Sequence, residues 1–175
     1  MIRFLTSIRG AVLTVAALVI CSAPVHAARA GAARDKAAIE ALEAHFAAAF
    51  NARDVNAIMS LYLPGPNLFV FDVTPPRQHV GWDDYRADWV DTFKASPPRF
   101  HFSISDLSVT VVGPVAYGHS IQSETFTRAN GAQGGFVVRV TDVYRKLHGR
   151  WLIVQEHVSV PVDLDTGKAD LLSKP

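Results

Sequence analysis

An acid ends a run of large apolar residues in the segment LFVFDVTPP, residues 68–76. In an extended strand Asp72 shares one face with Leu68 and Val70, because successive side chains alternate between faces. An ionised carboxylate is disfavoured in apolar surroundings, so the pKa of Asp72 should lie above its ordinary value of about 3.9. Such a carboxylate can remove a proton from a carbon acid near neutral pH. Asp72 is therefore a candidate general base.

Asp72 also has a purely structural interpretation. An aspartate at a turn often accepts a hydrogen bond from the backbone two residues further on, and here that residue is Thr74. Both roles remain open at the level of sequence.

A second group of polar residues lies on the predicted final hairpin, which turns at His148-Gly149 and pairs Leu147 with Arg150. Counting back from this turn places four polar side chains on one face among valines. They are Asp142 opposite Gln155, His157 opposite Val140, and Ser159 opposite Val138. Arg139 and Glu156 fall on the other face, where they form a plausible ion pair. The polar face predicts a pocket wall, although Asp142 could equally be a buried acid bonded to Gln155, and His157 a hydrogen-bonded core histidine.

Three amphipathic helices are predicted to position these strands. The spacing of Ile39, Leu42, Phe46 and Phe50 indicates one helix stripe. Asp54 is a suitable N-cap for a second helix over residues 55–62. A third helix starts near Asp83, with an apolar stripe of Trp82, Tyr85, Trp89 and Phe93.

The chain after residue 98 reads as strands throughout. Phe100, Phe102 and Ile104 share one face, whereas Leu107 and Val109 take the opposite phase, which predicts a bulge or bend within one long strand. Helices followed by a bent, mostly antiparallel sheet make an α+β fold. Helices packed into such a curled sheet would enclose a cone with a ligand site at its mouth.

Residues 1–27 have the form of an export signal. They combine Arg3 and Arg9, a short apolar core and the small residues Val25 and Ala27 before the predicted cleavage point. The apolar core is too short for a permanent membrane anchor. Residues 28–175 then form a single domain without cysteine, as suits a periplasmic or secreted protein. Residues 28–38 are expected to fray before the first helix settles.

Charge and motifs exclude several classes of function. Removal of residues 1–27 leaves 15 basic against 16 acidic residues and no basic run, which argues against a nucleic-acid surface. The six histidines after residue 27 lack metal-ligand spacing, and no phosphate-binding loop or nucleophile motif is present. The sequence thus predicts neither a metal nor another cofactor.

Three segments resemble the SnoaL-like and ketosteroid-isomerase-like branch of the NTF2-like superfamily. They are FNARDVNAIMSLY, then LFVFDVTPP with GWDDYRADW after it, and RVTDVYRKLHGRWLIVQEHVS. The resemblance implies three N-terminal helices packed into a curved, mixed, mostly antiparallel sheet, commonly in a homodimer. Within ketosteroid isomerases it places Asp72 at the general-base aspartate and Asp142 at the aspartate that donates to the oxyanion. Phe46 stands at the position of the oxyanion tyrosine, and His157 and Ser159 belong to an HxS ending frequent in SnoaL-like proteins.

Two functions follow as hypotheses. In the first, the protein binds a small apolar carbonyl compound and is an isomerase or lyase. Asp72 transfers the proton, Asp142, His157, Gln155 and Ser159 orient the substrate, and Phe46, Trp82, Tyr85 and Trp89 supply the apolar wall. In the second, the fold serves as a non-catalytic binding or association module, since fold alone does not decide function.

The outer sheet face predicts a homodimer. An aliphatic row of Val143, Leu152, Val154 and Val158 would otherwise be exposed opposite the pocket, with Arg139 and Glu156 beside it.

Overall fold

The computed structural model describes residues 23–172. The helices and strands in chain order are α1 (Ala23–Ala52), α2 (Val55–Met59), β1 (Phe69–Phe71), β2 (His79–Val80), α3 (Trp82–Ala95), β3 (Arg99–Val112), β4 (Val115–Thr127), β5 (Gln133–Leu147) and β6 (Arg150–Ser159). Two helices precede the first strand, and the third lies between β2 and β3. Most of the predicted export signal, residues 1–22, lies outside the described residues.

The six strands form one open sheet in the order β2-β1-β6-β5-β4-β3. Every neighbouring pair is antiparallel except β1 and β6, which run parallel. The α+β class with a mixed, mostly antiparallel sheet is therefore confirmed. The parallel pairing places Phe71 opposite His157, so Asp72 lies beside the C-terminal end of β6.

The helices pack on the inner face of the sheet. The buried residues of α1 include Ile39, Leu42, Phe46 and Phe50, which confirms the predicted stripe. Those of α3 are Tyr85, Trp89 and Phe93. The ring of Phe50 stacks on that of Phe102 in β3, with ring centroids 4.1 Å apart. These aromatic contacts hold α1 and α3 against the far end of the sheet.

The helix boundaries differ from the predictions in two places. Helix α1 is continuous from Ala23. The prediction that residues 28–38 fray is therefore wrong. Helix α2 ends at Met59 rather than at residue 62. Asp54 caps α2 as predicted, because its carboxylate accepts a hydrogen bond from the amide of Ala57 at 2.9 Å.

Two bulges set which side chains face inward. The register of β3 against β4 shifts between Ser105 and Ser108, as the change of apolar phase predicted. A second shift lies between Val143 and Tyr144, and it leaves Val154 of β6 without a partner in β5. The predicted pairs Leu147–Arg150 and Tyr144–Ile153 are confirmed. Beyond the second bulge the predicted register is wrong by one residue.

No helix in the part of the chain from residue 23 to residue 172 combines the length and apolar character that a membrane crossing requires.

Candidate functional site

A cavity of about 120 Å³ opens between α1, α3 and the inner face of the sheet. Its walls are mostly aromatic and aliphatic, with carboxyl groups among them. The lining residues are Phe46, Phe50, Asp72, Val73, Thr74, Tyr85, Asp88, Trp89, Thr92, Phe102, Gln122, Glu124, Phe136, Val138, Glu156 and Val158. An apolar cavity of roughly 150 Å³ can hold a benzene ring, so this site suits a ligand of about one ring.

Asp72 stands at the end of β1, where the strand gives way to a turn. Leu68 and Val70, on the same side of the chain, are 1% and 0% exposed. The Asp72 carboxylate accepts hydrogen bonds from the backbone amides of Val73 and Thr74. Burial raises the pKa of Asp72, and these two amides and nearby His79 oppose that effect without cancelling it. Asp72 is thus both a turn residue and a cavity carboxylate with a raised pKa.

Glu156 supplies a second carboxyl group to the same cavity. It is 4% exposed, and it accepts one hydrogen bond from the Tyr62 hydroxyl and one from the Tyr85 hydroxyl, each at 2.7 Å. Burial raises the pKa of Glu156 to about 7, although the two phenols lower it, and the charge of Asp72 adds to the rise. At neutral pH this group therefore exists in both protonation states.

Two further acids lie behind Glu156. Asp142 pairs with Glu156 across β5 and β6, and the Tyr144 hydroxyl lies 3.3 Å from Asp142 Oδ2 and 2.8 Å from Glu43 Oε1. Burial raises the pKa of Asp142 well above its ordinary value, and burial raises that of Glu43 to about 7. Neighbouring buried carboxylates repel, so the charges of Glu156 and Glu43 add to the rise in the pKa of Asp142.

His79 lies beside the first two turns of α3, near the cavity residue Asp88. It is 3% exposed, its Nδ1 lies 3.3 Å from Asp84 Oδ2, and its Nε2 lies 3.7 Å from Asp88 Oδ1. The sequence did not identify this histidine as a site residue. It places an imidazole behind Asp72 and Asp88, where a protonated ring would favour their ionised forms.

The structure places the predicted site residues in four locations, and the outer face of the sheet is the fourth. Phe46, Tyr85 and Trp89 line the cavity together with Asp72. Asp142 is fully buried behind the wall, not in it. Trp82 packs beside the core and donates from its Nε1 to the Met59 carbonyl at 2.8 Å, so its prediction as a wall residue is wrong.

Three residues predicted for the pocket lie elsewhere because of the bulge at Val154. Gln155 and His157 are exposed and pair with Val143 and Thr141 on the outer face. Ser159 is half-buried, and its hydroxyl donates to the Arg139 carbonyl at 3.5 Å. Glu156 takes the inward position that was assigned to its neighbours. It therefore cannot pair with Arg139 as predicted.

Two acids of the candidate site, Glu43 and Glu124, were missed although the sequence carried a signal for each. Glu43 follows Ile39 by four residues and so falls on the buried stripe of α1, where an acid is unusual. Glu124 continues the alternation of Ser120 and Gln122 along the inner face of β4. The contacts of Tyr62 and Tyr85 with Glu156 depend on tertiary structure, and no local pattern indicates them.

The arrangement is suited to moving protons. Four carboxyl groups with raised pKa line one small aromatic cavity: Asp72, Asp88, Glu124 and Glu156. This is the environment in which a carboxylate acts as a base and a carboxylic acid as a donor. Between residues 23 and 172 no cluster of three or more histidine, cysteine or acidic side chains is arranged to hold a metal ion.

Comparison with known proteins agrees with this architecture. The model of the SnoaL-like domain family matches residues 39–163. An NTF2-like protein of unknown function from Pseudomonas putida KT2440 is 25% identical with a TM-score of 0.74, and the match covers 82% of this chain and 98% of that one. No curated protein matches this chain.

Two more distant structures share the fold. A proposed dehydratase of the NTF2-like family from Streptomyces avermitilis is 18% identical with a TM-score of 0.65, over 73% of this chain and 97% of that one. A ketosteroid isomerase-like protein from Erwinia carotovora atroseptica SCRI1043 is 22% identical with a TM-score of 0.59, over 70% and 93%. With the family match covering most of its length, the chain belongs to the SnoaL-like family and has the NTF2-like fold.

Proposed function

We propose that this protein is an exported isomerase or lyase that transfers a proton on a small apolar carbonyl compound, with Asp72 as the base. One observation carries the proposal: Asp72 and Glu156 line the same aromatic cavity, and burial raises the pKa of both. The fold is shared with a proposed dehydratase and an isomerase-like protein, but fold alone does not assign the reaction.

The two carboxyl groups take different roles in this reaction. Asp72 removes a proton from the carbon next to the carbonyl group, and negative charge develops on the carbonyl oxygen. Protonated Glu156 donates a hydrogen bond to that oxygen, while Tyr62 and Tyr85 hold its carboxyl group in place. An isomerase returns the proton from Asp72 to another carbon as the double bond moves. A lyase instead expels a leaving group from the neighbouring carbon, and that group departs with the bonding electron pair.

Conversion of 3-cyclohexen-1-one into its conjugated isomer tests the proposal, because the substrate is one ring in size and the product absorbs in the ultraviolet. Asp72→Asn keeps the shape of the side chain but cannot accept a proton near neutral pH. We expect it to lower kcat/KM by roughly a hundredfold or more. Asp54→Asn is the matched control, since it changes an aspartate that caps α2 and does not line the cavity.

The result also separates the base from a turn cap. If Asp72 only caps the turn, Asp72→Asn changes the free energy of unfolding by about 1 kcal/mol or less and leaves the rate unchanged. Full activity in a folded Asp72→Asn protein, or a wild-type rate no higher than that of buffer alone, contradicts the proposal.

A binding or association module without catalysis is the second candidate. The observation that favours it is Phe46, which offers no hydrogen-bond donor at the position where the family resemblance places a tyrosine. Its ring instead packs edge-on against Trp89 and Phe102, at 5.9 and 5.8 Å between centroids. Such a module would bind the cyclohexenone, with a rise in melting temperature, and leave it unchanged.

A further inference from the structure

The side chains that line the cavity include acidic residues but no basic residues. Asp72, Asp88, Glu124 and Glu156 line it, and none of its lining side chains is a lysine, arginine or histidine. Glu124 is 6% exposed and Glu156 is 4% exposed. Water therefore has little access to these two carboxyl groups. An anionic ligand would meet repulsion here, whereas a cation would relieve the repulsion among the acids.

The charges behind the wall do not cancel this excess. His79 lowers the pKa of Asp72 and of Asp88 without offsetting their burial. Arg53 likewise lowers the pKa of Glu124 without offsetting its burial. The Arg53 guanidinium donates to the Phe93 and Pro97 carbonyls, so part of its hydrogen-bonding capacity is already used. Behind Glu156 lie two more acids, Glu43 and Asp142, and among residues 23–172 neither forms an ion pair with a base.

The remaining wall favours the same kind of ligand. Six aromatic side chains face the cavity: Phe46, Phe50, Tyr85, Trp89, Phe102 and Phe136. Aromatic faces attract cations through the negative charge density of the ring, and tryptophan does so most strongly. Carboxylates and aromatic rings together form the surroundings in which proteins bind ammonium groups.

We propose that the cavity takes a small organic cation, a protonated amine on a ring-sized apolar body that also carries a carbonyl oxygen. The amine would lie among the cavity carboxylates and the ring among the aromatic side chains, while the carbonyl oxygen keeps the place beside Glu156 that the proposed function gives it. The cation proposal narrows the substrate class of the proposed function, and it relies on that function for the location of the site. It does not depend on Asp72 acting as a base.

Three ligands of matched shape test the charge preference by isothermal titration calorimetry at pH 7. Phenacylammonium, propiophenone and phenylglyoxylate share a phenyl ketone and end in an ammonium, a methyl and a carboxylate group. We expect phenacylammonium to bind at least about tenfold more tightly than propiophenone, and phenylglyoxylate to bind more weakly than both. Equal or tighter binding of propiophenone, or no binding of phenacylammonium at millimolar concentration, overturns the proposal.

Variants then locate the preference in the cavity. The double substitution Asp88→Asn with Glu124→Gln should reduce the preference for phenacylammonium several-fold and leave propiophenone binding unchanged. Asp91→Asn is the control on α3, since its exposed side chain pairs with Lys94 away from the cavity. An unchanged preference in a folded double variant overturns the proposal. Because binding is measured without turnover, failure here is distinct from failure of the proton-transfer proposal, which depends on Asp72→Asn.

Discussion

Glu156 shows how strongly one side chain depends on its surroundings. Its carboxyl group receives two phenolic hydrogen bonds, which favour the ionised form, yet burial and neighbouring acids favour the neutral form more and raise its pKa to about 7. Glu43 is raised to a similar value. Both groups therefore hold protons in the folded protein at a pH where an unfolded chain has released them.

This difference predicts that the protein loses stability as pH rises. Between the ordinary pKa of about 4.5 and the folded-state pKa of about 7, the native state binds more protons than the unfolded state. Stability then falls with increasing pH across this window and levels off above it. We expect the free energy of unfolding, measured by urea denaturation, to be lower at pH 8 than at pH 5 by on the order of a few kcal/mol.

The variant Glu43→Gln with Glu156→Gln is the control, because it removes both titrating groups and keeps their approximate shape. Its stability should depend less on pH over the same range. A wild-type stability that rises between pH 5 and pH 7 contradicts the assignment of raised pKa to these two acids.

Among the elements, strand β3 and helix α3 were predictable because their apolar residues allow one arrangement. The jump from Ile104 to Leu107 puts all large residues on one face only if the strand bulges, and the structure has that bulge. Tyr85, Trp89 and Phe93 likewise repeat at one helical spacing. The inward position of Asp72 was predictable for the same reason, since Asp72 continues the buried face of Val70.

Strand β6 could not be predicted in the same way. Trp151 and Ile153 are in one phase and Val158 is in the other, so both a regular strand and a bulged strand bury apolar residues. The regular register put Gln155 and His157 in the pocket, whereas the bulge at Val154 puts Glu156 there. The parallel contact with β1 joins segments far apart in sequence, and neither strand alone indicates it.

At the scale of the whole molecule, the outer sheet face still favours a homodimer, but the apolar residues on that face differ from the predicted row. Val158 lines the cavity and leaves the proposed contact. The half-buried apolar residues of the outer sheet face include Val143 and Leu152, together with Phe69 and Phe71. Phe71 packs against the exposed His157, with ring centroids 5.4 Å apart. We propose that this face is the dimer contact.

Light scattering after size exclusion should give a dimer at micromolar concentration, and Leu152→Arg should shift it to a monomer. Leu164→Arg is the control, because Leu164 is 94% exposed in the tail after β6. A wild-type protein that elutes with the mass of a monomer refutes the proposal.

Export is proposed from the sequence of residues 1–27. Intact mass of the protein recovered from the exported fraction should correspond to a chain that begins at Ala28. A retained Met1, or a lipid on Cys21, is the result that would refute the predicted cleavage.

The most direct test of the central claim follows the proton itself. Cyclohexanone incubated in D₂O with the wild-type protein should gain deuterium at the carbon next to its carbonyl group, and proton NMR measures the loss of that signal. The account predicts exchange above the buffer rate in the wild type, and exchange at the buffer rate in a folded Asp72→Asn protein. Exchange that persists undiminished in Asp72→Asn, or wild-type exchange no faster than in buffer, would contradict the role of Asp72 as the base of this cavity.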